Sequence, residues 1–141
     1  MFARKEGYTT TYFGRKRKLN QIYDKGDRRS QAFADRSSVN TAIQGTAAEI
    51  TRIAMVKCDR AIKKNEWKPK ECKIVMQLHD ELTFLIREDL LNETVPVIKD
   101  AMEFKVKSWE VQLTVGFKVG RVWGKQPDFE IVDGKVVKKA A

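Results

Sequence analysis

Gln77-Leu78-His79-Asp80-Glu81-Leu82 lies where two apolar, β-rich runs meet, residues 73–79 and 82–87. Short apolar runs separated by two polar residues predict a tight antiparallel hairpin. Such joints favour Gly or Asn, which accept positive φ. Here the joint reads as Asp80-Glu81, adjacent acids whose like charges repel at a point between buried strands. One reading is an exposed acidic turn with a surface histidine. The other is a divalent-cation site, since intracellular Mg2+ takes one or two carboxylates together with substrate phosphates and water. No second acid lies on a neighbouring predicted strand except Glu110 at an edge, so a two-metal reaction would need a carboxylate from outside this chain.

Upstream of the hairpin, apolar residues at Phe33, Val39, Ile43, Ala47, Ile50, Ala54, Cys58, Ala61 and Ile62 recur as on one helical face. They predict a long helix over about 31–65, bent near Gly45. On it Arg36, Asn40 and Gln44 are four apart, among the small residues Ser37, Thr41, Gly45 and Ala48. A solvated face usually carries Lys and Glu. Arg, Asn and Gln together suit the minor groove, where every base pair offers an acceptor in nearly the same place. His79, the single histidine, reads either as a packed or surface residue or, beside Asp80, as a donor to a sugar or phosphate of the same nucleic acid.

Downstream, residues 88–107 return to helical spacing through Leu91, Val95, Ile98 and Met102. Val111, Leu113, Val115 and Phe117 alternate and predict a third strand over 110–119. Asp133-Gly134 between valine-rich flanks predicts a small hairpin. Gly7 to Phe13 reads as a short strand or extended arm that enters the basic run Arg15-Lys16-Arg17-Lys18, and residues 18–29 read as loop. The sum is an α+β fold: a small three-stranded antiparallel sheet backed by a long helix and a second helix. Three parts are expected, an arm and basic loop at 1–30, a main body at 31–125 and an extension at 126–141.

The 141 residues suit one compact domain, and 42% hydrophobic content excludes wholesale disorder. No apolar run approaches the ~20 residues that cross a bilayer. Nothing near the N-terminus reads as a secretory signal, so an intracellular protein is expected. Cys58 and Cys72 lack the companions of a metal or disulfide framework and read as reduced packing residues. The net charge of +9 is unevenly placed: residues 1–40 hold ten basic side chains against four acids, while residues 80–103 hold seven acids against two basic side chains. The basic run is either a solvated loop or a phosphate-binding segment whose affinity falls steeply with salt.

Four stretches carry a resemblance. Gln77-Leu78-His79-Asp80-Glu81-Leu82 resembles motif C of the family A DNA polymerases, and Asn40-Thr41-Ala42-Ile43-Gln44-Gly45-Thr46-Ala47-Ala48 resembles their long palm helix. Gly7-Tyr8-Thr9-Thr10 through Phe13-Gly14-Arg15-Lys16-Arg17 is similar to the family's arm and basic loop. Val119-Gly120 and Trp123-Gly124 are similar to its C-terminal end. The likeness runs from about Gly7 to Lys125.

The resemblance implies that Asp80 is the motif C ligand of the catalytic Mg2+ ions and that Glu81 tunes the site. It implies that Arg36, Asn40, Gln44 and His79 contact primer and template near the nascent base pair, and that Arg15 and Arg17 contact the DNA backbone. The body at 31–125 would be the C-terminal portion of a polymerase palm, acting on primer-template DNA and dNTP. The family's motif A aspartate and its fingers helix have no counterpart here, so the two-metal site would be completed by an N-terminal polymerase chain. That makes this either one subunit of a naturally split enzyme, starting with Met1 ahead of the basic loop, or a fragment. The setting would be cytoplasmic: nucleoid-associated, or phage or virus replication in a host cell. Ala42, Leu78, Asn20-Gln21 and Arg121-Val122 depart from the family pattern without removing a proposed catalytic group. The competing readings are a non-catalytic duplex DNA-binding module and, weakest, a metal nuclease.

Overall fold

The computed structural model describes residues 2–23 and 26–139. The chain divides into two compact units within one long helix, between Arg52 and Ile53.

In the first unit, helix α1 (Phe2–Glu6) leads into a hairpin of β1 (Tyr8–Thr10) and β2 (Lys16–Lys18), paired Tyr8 to Lys18 and Thr10 to Lys16. The arm is therefore a strand, and the basic run is largely its partner strand rather than a loop. A 3-10 turn (Asn20–Tyr23) follows, then α2 (Arg28–Asn40), a wider π-helical turn (Thr41–Gly45) and α3 (Thr46–Lys64). Asp27 starts α2, its carboxylate accepting from the Arg29 N–H at 2.8 Å and the Ser30 hydroxyl at 2.6 Å. These bonds hold the Asp27 carboxyl below its ordinary pKa. Arg4 grips Asp35 through two hydrogen bonds and lowers that carboxyl as well, tying α1 to α2. Ala3, Leu19, Ile22 and Ala34 form the small core beneath.

The expected bend near Gly45 is a π turn, one of the few recognised causes of a helix kink. It corrects the predicted apolar face. Phe33, Val39 and Ile43 are 52%, 51% and 67% exposed, and α2 instead buries Ala34, Ser37 and Ser38. A single 3.6-residue period fails across a π turn, which rotates the two helical halves relative to each other, so the stripe of α3 does not continue along α2.

In the second unit, β3 (Cys72–Leu78) and β4 (Glu81–Ile86) form the expected hairpin. A 3-10 turn (Glu88–Leu90) introduces α4 (Leu91–Met102). Cys58 and Ile62 of α3, Trp67, Cys72 of β3 and Ile98 of α4 make the core, with Ile74, Leu82, Phe84 and Ile86 packed on it. Both thiols are buried, which pushes each up to about 11. A hairpin backed by two helices is thus the α+β arrangement the sequence predicts.

The third strand is a correction. Only β5 (Phe117–Lys118) forms within 110–119, and it pairs with β6 (Asp128–Val132), which pairs with β7 (Lys135–Lys138). Residues 110–116 have no ladder, and Val111 is 76% exposed. Alternation becomes a strand only where another backbone answers its hydrogen bonds. Here the Val115 N–H goes instead to the Glu103 carboxylate at 2.7 Å. The Asp133-Gly134 hairpin forms as expected, with φ of 49° and 74°, the two positive values of a type I′ turn. Among the described residues no helix is long and apolar enough to cross a membrane.

Candidate nucleic-acid interface and carboxylate hairpin

The register of β3 and β4 moves the hairpin joint by one residue. Glu81 pairs with Leu78, so the turn consists of His79 and Asp80. His79 adopts φ 51°, a region that side chains enter at a cost, and its carbonyl accepts the Gln77 side-chain amide at 3.3 Å. Asp80 is therefore held at a turn, while Glu81 projects from the first residue of a strand. Both carboxylates and His79 are exposed. The ladder carries a bulge at Val75, after which Met76 pairs with Thr83. Leu82, Phe84 and Ile86 face the core, whereas Val75, Met76, Leu78 and Leu85 remain exposed on the hairpin.

The carboxylates are hard oxygen donors on a short, well-paired hairpin, which fits an oxygen-seeking divalent cation. They do not make a complete site. Among the described residues no group of three or more His, Cys, Asp or Glu side chains could hold a metal.

Arg36, Asn40 and Gln44 are exposed on the side of α2 opposite the buried Ala34, Ser37 and Ser38, with Gln44 inside the π turn. They lie in the first unit, and His79, Asp80 and Glu81 lie in the second. Arg15 and Arg17 are also exposed but partnered. Arg15 reaches Glu49 at 3.4 Å, and the Arg17 guanidinium donates to the Thr41 hydroxyl at 3.0 Å.

Sequence reasoning passed over the residues that join the basic hairpin to the helix. Thr9 donates to the Ser38 carbonyl at 3.3 Å, the Tyr12 N–H donates to the Thr46 hydroxyl at 2.9 Å, and Glu49 receives Arg15. The available signal was a pair of threonines, Thr41 and Thr46, flanking a glycine within a helical stretch.

Comparison with known proteins gives a consistent picture. The model of DNA polymerase family A matches residues 1–125. DNA polymerase I of Chloroflexus aurantiacus is 34% identical over 122 residues, which are 86% of this chain and 12% of that protein. DNA polymerase I of Caldicellulosiruptor bescii is 35% identical over 122 residues, 86% of this chain and 14% of that protein. This chain thus spans about an eighth of the length of the curated relatives it matches. Among solved structures, the POL domain of Pol1 from M. smegmatis, in complex with DNA primer-template and dNTP, superposes with a TM-score of 0.66 at 37% identity. That match covers 72% of this chain and 17% of the other.

Proposed function

The chain belongs to DNA polymerase family A, and from that premise we propose that it is the C-terminal palm portion of a DNA-directed DNA polymerase. The observation that carries this reading is an acid–acid pair split by the hairpin register, with Asp80 in the turn and Glu81 on the strand, inside the family-matched residues. The relative solved with primer-template DNA and dNTP supports the same substrates here.

Asp80 is the motif C carboxylate of this reading and would hold Mg2+ together with an aspartate from outside the chain, with Glu81 tuning the site. Held there, Mg2+ would supply Lewis acidity toward the primer 3′-hydroxyl and positive charge toward the departing pyrophosphate. Arg36, Asn40 and Gln44 offer donors to minor-groove acceptors that every correct pair presents in nearly the same place, so they test pair geometry without reading sequence. His79 adds a contact to the primer strand, and Arg15 and Arg17 add backbone contacts that position the duplex.

The exposed Val75, Met76, Leu78 and Leu85 support a further polymerase segment over the hairpin, because strands apolar on both faces are usually covered on both. That cover is the polymerase portion with the motif A strand and the fingers helix, carried either on a separate N-terminal chain of a split enzyme or on the same polypeptide of which this is a fragment, in a cytoplasmic setting. Residues 1–30 are the DNA-contacting arm, 31–125 the palm portion and 126–141 an extension outside the family match.

The test is to tag the chain in its source cells, purify what it binds, and assay primer extension with wild-type and Asp80→Ala chains. A partner carrying the missing aspartate, with extension abolished by Asp80→Ala, is the expected result. A chain that purifies alone and binds duplex DNA equally with either residue would reduce its role to a non-catalytic binding module.

A further inference from the structure

The π turn at Thr41–Gly45 contains no proline, and none occurs anywhere in α2 or α3, so no ring forces the break. The turn is instead held from outside, at both ends, in the same way. Thr41 donates its hydroxyl to the Ser37 carbonyl at 2.7 Å and accepts from the Arg17 guanidinium at 3.0 Å. Thr46 donates its hydroxyl to the Ala42 carbonyl at 2.5 Å and accepts from the Tyr12 N–H at 2.9 Å. Each threonine hydroxyl bonds the carbonyl four residues back, at Ser37 alongside the Thr41 N–H, and is itself engaged by the β1–β2 hairpin. Such back-bonding bends helices. Between them Gly45 admits the hairpin closely, since a Cβ there would lie 2.8 Å from the Thr11 methyl.

The consequence falls on the row of Arg36, Asn40 and Gln44. In an α-helix four residues overshoot a full turn by roughly 40°, so a row spaced by four drifts around the axis. A π turn takes more residues per turn, so the same four fall short of a full turn. The α step from Arg36 to Asn40 and the π step from Asn40 to Gln44 therefore drift in opposite senses and offset each other. The row runs nearly parallel to the axis, as a groove-tracking set requires.

We propose that Thr41 and Thr46, clamped by the basic hairpin, are positioning residues that lock the π register and thereby align Asn40 and Gln44 on the terminal base pair. This rests on the minor-groove reading above and extends it to residues that touch no DNA. It also gives Arg17 a second duty, as the hairpin's grip on Thr41.

The test uses the chain as purified with whatever copurifies, and a fluorescent primer-template duplex whose primer end is matched or mismatched. Affinities for the two duplexes are measured by anisotropy across a salt series, and amide hydrogen exchange is followed over residues 41–46. In Thr41→Val/Thr46→Val the preference for the matched end is expected to fall to near parity and exchange over 41–46 to quicken. The salt slope, which counts phosphate contacts, is expected to stay unchanged. Thr41→Ser/Thr46→Ser, which keeps both hydroxyls, is expected to behave as wild type. If the double valine variant does not fold, Thr41→Val alone carries the test, with a smaller loss in the same direction.

A preference that survives the valine substitutions while Gln44→Ala abolishes it would overturn this inference and leave the base-pair reading intact. A preference that is absent in wild type, or unmoved by Gln44→Ala, would overturn the base-pair reading and this inference with it. A fallen salt slope in the valine variant would mean that the threonines only hold the hairpin in place, which also overturns it.

Discussion

Glu81 stands directly across the ladder from Leu78, and this single pairing separates two carboxylates that are neighbours in sequence. Asp80 belongs to the turn and Glu81 to a strand, so their side chains leave the backbone under different constraints. Adjacent acids here stand in unequal backbone settings rather than forming one duplicated charge.

Under the proposed polymerase reading, that inequality is measurable in primer extension. Asp80→Asn is expected to lower single-turnover extension on the order of 10²–10³-fold or more, the scale seen when a preorganised charge partner of a transition state is removed. Glu81→Gln is expected to lose far less. Equal losses would remove the distinction between ligand and neighbour.

His79 carries a positive φ of 51° with a full side chain. His79→Gly is expected to stabilise the hairpin by up to about 1 kcal/mol, and His79→Val to destabilise it by at least as much, because a β-branched residue tolerates that region least. Urea denaturation of the three proteins side by side gives the order directly.

Duplex binding is expected to weaken linearly in log–log salt plots, and Arg15→Gln to flatten the slope by about 0.9, one phosphate contact. Arg15 is exposed and its bond to Glu49 is a long 3.4 Å, leaving the guanidinium able to turn toward a phosphate. An unchanged slope would assign Arg15 to Glu49 alone.

Burial raises the thiols of Cys58 and Cys72 from 9.0 to about 11, with the neighbouring Cys72 adding to the effect at Cys58. Thiol reagents at pH 8 are expected to leave both untouched in the folded chain and to label both in urea. Since each folded value lies above the unfolded one, this contribution to stability is complete below pH 9 and is lost as pH rises through 11. Melting temperatures taken across pH 8 to 11 are expected to fall over that interval.

How much of this could be read from the residues differs by element. The α3 half of the long helix and the β3–β4 hairpin were legible because both bury a periodic face in one core, around Cys58, Ile62, Cys72 and Ile98, whereas the face predicted along α2 is exposed at Phe33, Val39 and Ile43. The position of the turn was not, because the ladder prefers to pair Glu81 and strain His79, a choice made by the backbone rather than by composition. The strand expected over 110–119 failed because alternation specifies a face and not a partner, and Glu103 captures the Val115 amide. The Arg36, Asn40 and Gln44 row was legible as a row from its spacing. What straightens it was hidden, since the contacts that hold the π turn come from Tyr12 and Arg17, more than twenty residues away.

One bond in the terminal sheet bears on how the chain behaves among copies of itself. The outward N–H of Val136, on the edge strand β7, is taken by the Asn92 side chain at 2.8 Å, and Lys135 and Lys138 bracket it with exposed positive charge. An unguarded edge is a template for the next strand and so a seed for aggregation. Here an incoming strand would have to displace a side chain from the donor it needs and approach between two like-charged lysines. The hairpin beyond the family-matched residues thus brings its own protection against polymerising edge to edge.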